Sequence, residues 1–158
     1  MEPRNKDLLE LKSFLNRLKI APEILGELGV LIKKSRFLFA ASSELHNFMK
    51  EMSTDFFSIG TPLGETKRDF IPTPELVDFL SHHSDRKVFI GPKSEWMFLC
   101  GKDIFRKGIA NNTLEKNRGR VFIFNKYEEN LGIAKFMENR DVPLQHIMDK
   151  GAYVRKEI

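Results

Sequence analysis

Lys87-Val88-Phe89-Ile90-Gly91-Pro92-Lys93-Ser94-Glu95-Trp96-Met97-Phe98-Leu99-Cys100-Gly101 is the stretch on which the fold turns. Val88-Phe89-Ile90 is a short run of strand-forming residues, stopped by Gly91-Pro92. Ser94 is placed to cap a helix over Glu95 to Cys100, and Gly101 to close it. Further along, Val121-Phe122-Ile123-Phe124 and Leu131-Gly132-Ile133-Ala134 read as strands joined through the polar Asn125 to Asn130. Ala152-Tyr153-Val154-Arg155 reads as a terminal strand. Several short strands with one or two small helices predict a compact β-barrel-like module.

Upstream, Ser81-His82-His83-Ser84-Asp85 is short and polar, and it predicts a boundary between domains 1–84 and 85–158. In the first domain Leu8, Leu11, Phe14, Leu15 and Leu18 recur at helical spacing until Ala21-Pro22 and Gly26 break the pattern. Val30-Leu31-Ile32 and Phe37-Leu38-Phe39 predict an antiparallel hairpin, with Lys33, Lys34 and Arg36 in a solvated turn. Ser43 is expected to cap a helix from Glu44 to Met52, and Phe56-Phe57-Ser58-Ile59 to form a buried strand ending at Gly60. Gly60-Thr61-Pro62-Leu63-Gly64 reads as a connection, and Thr73 as the cap of a helix beginning at Pro74. The fold class is α+β: an N-terminal α/β domain with an antiparallel sheet and flanking helices, then a barrel-like module.

Composition sets bounds on function. The 158 residues are 41% hydrophobic and 30% charged, a globular balance, and 14 Phe provide enough core volume for two small domains. A lone cysteine, Cys100, excludes an internal disulfide and reads as a buried, inert thiol. No apolar run approaches the ~18 residues of a bilayer span, and Met1 to Asp7 lacks a signal-peptide pattern, so a cytoplasmic protein with no membrane partner is expected. Through Arg86 there are 12 Lys+Arg against 13 Asp+Glu, a balance of −1; from Lys87 onward there are 14 against 9, a balance of +5. The basic excess of the second half points to a polyanionic partner.

Catalytic signatures are missing. No Gly-Lys-Ser/Thr closes a P-loop, no G-x-G-x-x-G follows a strand, and no nucleophile elbow is present. His82-His83 lacks partners at metal-ligand spacing, since His46 and His146 are distant, and it reads as polar linker. No enzyme activity, cofactor or metal is therefore expected. The basic residues do cluster: Arg106-Lys107 before Gly108; Lys116, Arg118 and Arg120 on one face of an extended chain; Lys150, Arg155 and Lys156 around the terminal strand. Such clusters suit backbone phosphates. Tyr127, Phe105 and Trp96 are each able to stack on a base, but Phe105 and Trp96 are assigned to the core.

Ser58-Ile59-Gly60-Thr61 with Gly64, then Lys87 to Pro92, Glu95, Phe98-Leu99-Cys100-Gly101 and Gly108, resemble the Nip-seven family of large-subunit ribosome-biogenesis factors. So do Leu131-Gly132-Ile133-Ala134 and Gly151 to Glu157, and the matches keep their order from Ser58 to the end. Cys100, Gly91, Lys107 and Ala152 depart from the family's usual residues. The resemblance implies a C-terminal PUA-type β pseudobarrel that binds RNA, and no catalysis. It implies pre-ribosomal or other single-stranded RNA as ligand, with ribosome-assembly or RNA-processing proteins, exosome-related ones among them, as partners. On that pattern Arg106, Lys107, Gly108, Lys150, Arg155 and Lys156 are the leading RNA-binding residues, and Lys116, Arg118 and Arg120 a second group. The short chain looks archaeal, which keeps the cytoplasmic expectation; a eukaryotic member would be nucleolar. The alternative is an RNA-modifying enzyme or accessory subunit using the PUA domain as an RNA anchor.

Overall fold

Helix α1 (Asn5–Arg17) forms because Leu11, Phe14 and Leu15 align on one side and are buried there with Leu18. Its first turn is held by Asp7, whose carboxylate accepts the Arg4 backbone N–H at 3.0 Å. A 3-10 turn (Pro22–Ile24) and a one-turn helix α2 (Leu25–Leu28) lead into strands β1 (Val30–Lys34) and β2 (Phe37–Ala41). The computed structural model describes residues 2–52, 55–110, 113, 118–138 and 141–156, with only the backbone described at 153, 154 and 156.

The predicted hairpin is present, pairing Val30 with Ala41 and Lys34 with Phe37. Of its basic residues only Arg36 is an exposed turn residue as expected, whereas Lys33 is buried and Lys34 half-buried. The turn is only Ser35-Arg36, with Ser35 at φ 55°, so Lys33 and Lys34 belong to the strand and face opposite sides of it. Lys33 is buried against Asp7, Lys34 Nζ lies 2.7 Å from Asp55, and Arg36 pairs with Glu65.

Helix α3 (Ser43–Glu51) follows, capped by Ser42, whose Oγ accepts the Leu45 N–H at 3.2 Å, rather than by Ser43. Phe56 to Ile59 is not a strand: Phe57 is 96% exposed, and only Ile59 of the four is fully buried. The strand is β3 (Thr61–Thr66), the stretch expected to be a connection. Gly and Pro normally break strands, but here the β2–β3 register shifts between Leu38 and Phe39, placing Pro62 opposite Phe39 and Gly64 opposite Leu38. Strand β4 (Phe70–Pro72) completes an antiparallel sheet in the order β1-β2-β3-β4. Ile32, Phe39, Ala41 and Ile59 form a buried cluster on it.

Helix α4 (Pro74–His82) starts where expected, with Thr73 Oγ1 accepting the Leu76 N–H at 3.2 Å. It continues through His82, so the first histidine of the expected linker is helical, with its Nδ1 2.7 Å from the Asp78 carbonyl oxygen. The chain divides into two compact units, Met1–Leu76 and Val77–Ile158, and the division falls inside α4.

The second unit contains β5 (Lys87–Phe89), α5 (Pro92–Leu99), a 3-10 turn (Arg106–Gly108), β6 (Arg120–Phe124), β7 (Asn130–Phe136), β8 (Leu144–Asp149) and α6 (Gly151–Lys156). The sheet order is β5-β6-β7-β8; β5 and β6 run parallel and the other neighbours antiparallel. Bridges at Ile90–Ile109 and Ile104–Leu144 tie the loop after α5 to this sheet. Val88, Ile90, Phe98, Ile104, Val121, Ile123, Leu131 and Leu144 share one core. The architecture is the α+β pair expected, with three corrections. Gly91 caps α5 and Pro92 opens it, so Ser94 is inside the helix. The terminal segment is the helix α6, not a strand, because β8 already occupies the place beside β7. Cys100, the C-cap of α5, is only partly buried.

Candidate nucleic-acid interface

Three inward residues fix the rotation of α5. Phe98 is fully buried; Glu95 accepts from Asn125 Nδ2 at 3.1 Å; Ser94 faces Gly108. At ~100° per residue, Trp96 is rotated ~200° from Phe98 and Lys93 ~140°, so both point away from the core. Trp96 is 64% exposed and Lys93 is exposed. The sequence assignment of Trp96 and Phe105 to the core is thus corrected: Phe98 and Ile104 fill that core, leaving Phe105 48% exposed on the loop beyond.

The loop carrying Arg106, Lys107 and Gly108 is pressed against the start of α5. Gly91 N–H donates to the Gly108 carbonyl at 3.0 Å, and a Cβ at Gly108 would stand 1.7 Å from Ser94 Oγ. Any side chain at position 108 would force Ser94 to shift. Exposed Lys107 is thereby carried beside the first turn of α5, where Lys93 also lies. Arg106 is exposed and its backbone N–H donates to the Asp141 carbonyl at 3.0 Å.

On the other flank of α5, Asn125 organises the β6–β7 turn. Its buried side chain donates to Glu95 and to Glu129 at 2.7 Å, and its Oδ1 accepts the Tyr127 and Glu129 N–H groups at 2.9 and 3.0 Å. This holds Tyr127 outward at 70% exposure, with Lys126 Nζ 5.0 Å from its ring centre.

Two of the C-terminal cations, Arg155 and Lys150, have structural partners. Arg155 Nη1 and Nη2 donate to Asp149 Oδ1 and Oδ2 at 3.0 and 2.9 Å, and Nη1 also donates to the Leu99 carbonyl at the end of α5. Asp149 also lies 2.5 Å from His146 Nε2, whose ring packs on Phe98. Burial pushes the Asp149 carboxyl up, but the hydrogen bonds from Arg155 and His146 outweigh it and hold the group below the usual carboxylate range. Lys150 Nζ donates to Asp78 at 2.9 Å, a half-exposed pair. Lys156 is placed only as a residue of α6, and Lys116 lies outside the described residues. Arg118 is exposed; Arg120 opens β6, where its carbonyl accepts from Arg86 Nε at 3.1 Å. The structure therefore brings Arg106, Lys107 and Gly108 together with Lys93, and groups Arg155 with Asp149 at the opposite end of α5. The sequence reading omits Lys93 and assigns Trp96 to the core, although a helical wheel anchored on Phe98 turns both outward.

Among the described residues, no group of three His, Cys, Asp or Glu is placed to hold a metal ion, and no helix is long and apolar enough to cross a membrane. The first unit carries a cleft of about 390 Å³ under α3, lined mainly by Leu45, Phe48, Met49, Met52 and Phe56.

A mixed sheet with α5 and its loop laid on one side defines a protein with a C-terminal unit of the PUA type. Residues 86–158 match the family model described as "UPF0113 PUA domain". A UPF0113 protein of Archaeoglobus fulgidus is 23% identical over 167 residues, covering 99% of this chain and 94% of that protein. Among solved structures, a conserved PUA domain protein from Thermoplasma acidophilum aligns with a TM-score of 0.52 at 13% identity, covering 95% of both chains. A hypothetical protein from the hyperthermophilic archaeon Pyrococcus horikoshii aligns at 0.53 and 17% identity, covering 98% of both. These likenesses show the fold.

Proposed function

We propose that this protein is a non-enzymatic RNA-binding factor of the Nip-seven type, acting on pre-ribosomal RNA during large-subunit assembly in an archaeal cytoplasm. The observation that carries the reading is the approach of Gly108 to Ser94, which joins Lys107 and Lys93 at one end of α5 on a PUA-type unit. PUA modules are generally RNA-binding, and two exposed ammonium groups beside a helix N-terminus suit backbone phosphates. The net +5 of the chain from Lys87 onward supplies the longer-range attraction. The ribosomal role is supported by the ordered motif resemblance from Ser58 onward.

The test is binding of the full chain to a single-stranded oligoribonucleotide, by fluorescence anisotropy across a salt series. Affinity should fall steeply with salt, and Lys93→Glu and Lys107→Glu should each weaken binding and flatten the slope by about one. Binding indifferent to both substitutions would move the RNA face elsewhere. For the cellular role, crosslinking should recover precursors of the large-subunit rRNA; recovery of unrelated RNAs alone would sink it.

A further inference from the structure

We infer that Trp96, flanked by Tyr127 and Phe105, is a stacking platform for unpaired nucleobases, so that the site takes single-stranded rather than duplex RNA. The inference deepens the RNA-binding reading and rests on it. All three rings are exposed, at 64, 70 and 48%, on a unit that buries the large rings of Phe98, Phe122 and Phe124. Large aromatic side chains gathered on one exposed face mark a contact surface. Here their positions are imposed by buried anchors. Phe98, Glu95 and Ser94 set the rotation of α5 and so aim Trp96 outward; the Glu95–Asn125 hydrogen bond fixes the turn that carries Tyr127; the Gly108–Ser94 contact fixes the loop that carries Phe105. On the helical wheel Glu95 lies on the Trp96 side and Ser94 on the other, so the two loops flank the outward face of α5.

Charge selects the occupant. Lys93 lies on α5, Lys107 two residues after Phe105, and Lys126 immediately before Tyr127, so each ring has an exposed ammonium group as its neighbour. Rings interleaved with cations match a polyanion whose bases are splayed out: the rings take the base faces and the lysines the phosphates. A duplex hides its base faces inside the stack and offers this surface only phosphates.

Trp96 is the sole tryptophan, so intrinsic fluorescence reads this site directly. The full chain is titrated with single-stranded oligoadenylate, with an RNA duplex of equal length, and with an abasic ribose-phosphate oligomer. Oligoadenylate should quench the emission, and the abasic oligomer and the duplex should not. By anisotropy, Trp96→Ala should weaken oligoadenylate binding by about 5- to 150-fold, the range for losing one stacked base. Its salt slope should stay unchanged, because no phosphate contact is removed, and Trp96→Phe should recover much of the affinity. Unchanged thermal unfolding of both variants keeps the comparison valid, as the exposed ring supports no core. Salt-sensitive binding without quenching, and without loss in Trp96→Ala, would overturn the platform while leaving RNA binding intact. No binding of any RNA at low salt would instead overturn the RNA-binding reading itself, and leave the aromatic face to a protein partner.

Discussion

Arg155 reaches back from α6 to grip Asp149 through both guanidinium nitrogens, at 3.0 and 2.9 Å, while also donating to the Leu99 carbonyl that ends α5. One side chain thus pairs a buried carboxylate, holds the terminal helix to β8 and satisfies a C-terminal carbonyl of α5. Close backbone approach reinforces the joint: a Cβ at Gly151 would stand 2.3 Å from the Leu99 oxygen.

Arg155→Glu is accordingly expected to lower the melting temperature, because it sets a second carboxylate against buried Asp149. Arg155→Lys should lower it less, since a single ammonium cannot reproduce the two-point grip. Thermal unfolding by circular dichroism checks both. Any loss of RNA affinity in Arg155→Glu should be accompanied by this loss of stability, unlike the losses expected for Lys93→Glu and Lys107→Glu.

Asp149 also sets an acid limit. Its carboxyl is held below its ordinary value in the folded chain, so its contribution is present above the unfolded pKa of about 3.9 and is lost as pH falls through the folded value. Stability should therefore hold from neutral pH to about pH 5 and fall below about pH 4. Asp149→Asn should be less stable at neutral pH and show a shallower acid decline. Denaturant midpoints measured between these limits test the slope, and an unchanged acid decline in Asp149→Asn would refute the assignment.

Gly108→Ala should destabilise the chain by about 1–3 kcal/mol, the usual cost of overpacking, since its methyl would collide with Ser94 Oγ at 1.7 Å and Ser94 Cβ at 2.8 Å. Combining it with Ser94→Ala should recover part of that loss by removing the nearer atom. Chemical denaturation of the single and double variants gives the coupling; additive losses would mean that the contact does not set the loop position.

Lys33→Ala should cost about 3–5 kcal/mol, because it strands Asp7, a carboxylate with 3% side-chain exposure, without its ammonium partner. Replacing both residues by apolar ones should cost less than Lys33→Ala alone. Urea unfolding would show this, and a double variant as unstable as the single would contradict it.

Local sequence signals carried much of the fold. The α1 stripe, the hairpin between Val30 and Ala41, the Thr73-Pro74 helix start and the apolar runs of β5, β6 and β7 are legible because periodicity and caps act over a few residues. The misread segments all depended on distant partners. Pro62 and Gly64 are strand residues only because β2 shifts its register opposite them. β8 lacks a clear alternation and is defined by pairing with β7, which in turn leaves residues 151–156 free to be a helix. Lys33 read as a turn residue because nothing near it in the chain reveals Asp7, 26 positions away.

The candidate site divides the same way. By itself the sequence determined the α+β class, the basic excess from Lys87 onward and the Arg106-Lys107-Gly108 cluster, since these are matters of composition and short-range order. Only the tertiary structure decided which cations and rings share a surface. Burial of Phe98, the Glu95–Asn125 bond and the Gly108–Ser94 contact rotate α5 and pin two loops beside it, turning Trp96 and Lys93 outward, while the buried charge of Asp149 draws Arg155 into the framework. The physical reason is that a side chain's exposure depends on what packs beneath its neighbours, and those partners lie up to 56 residues away along the chain.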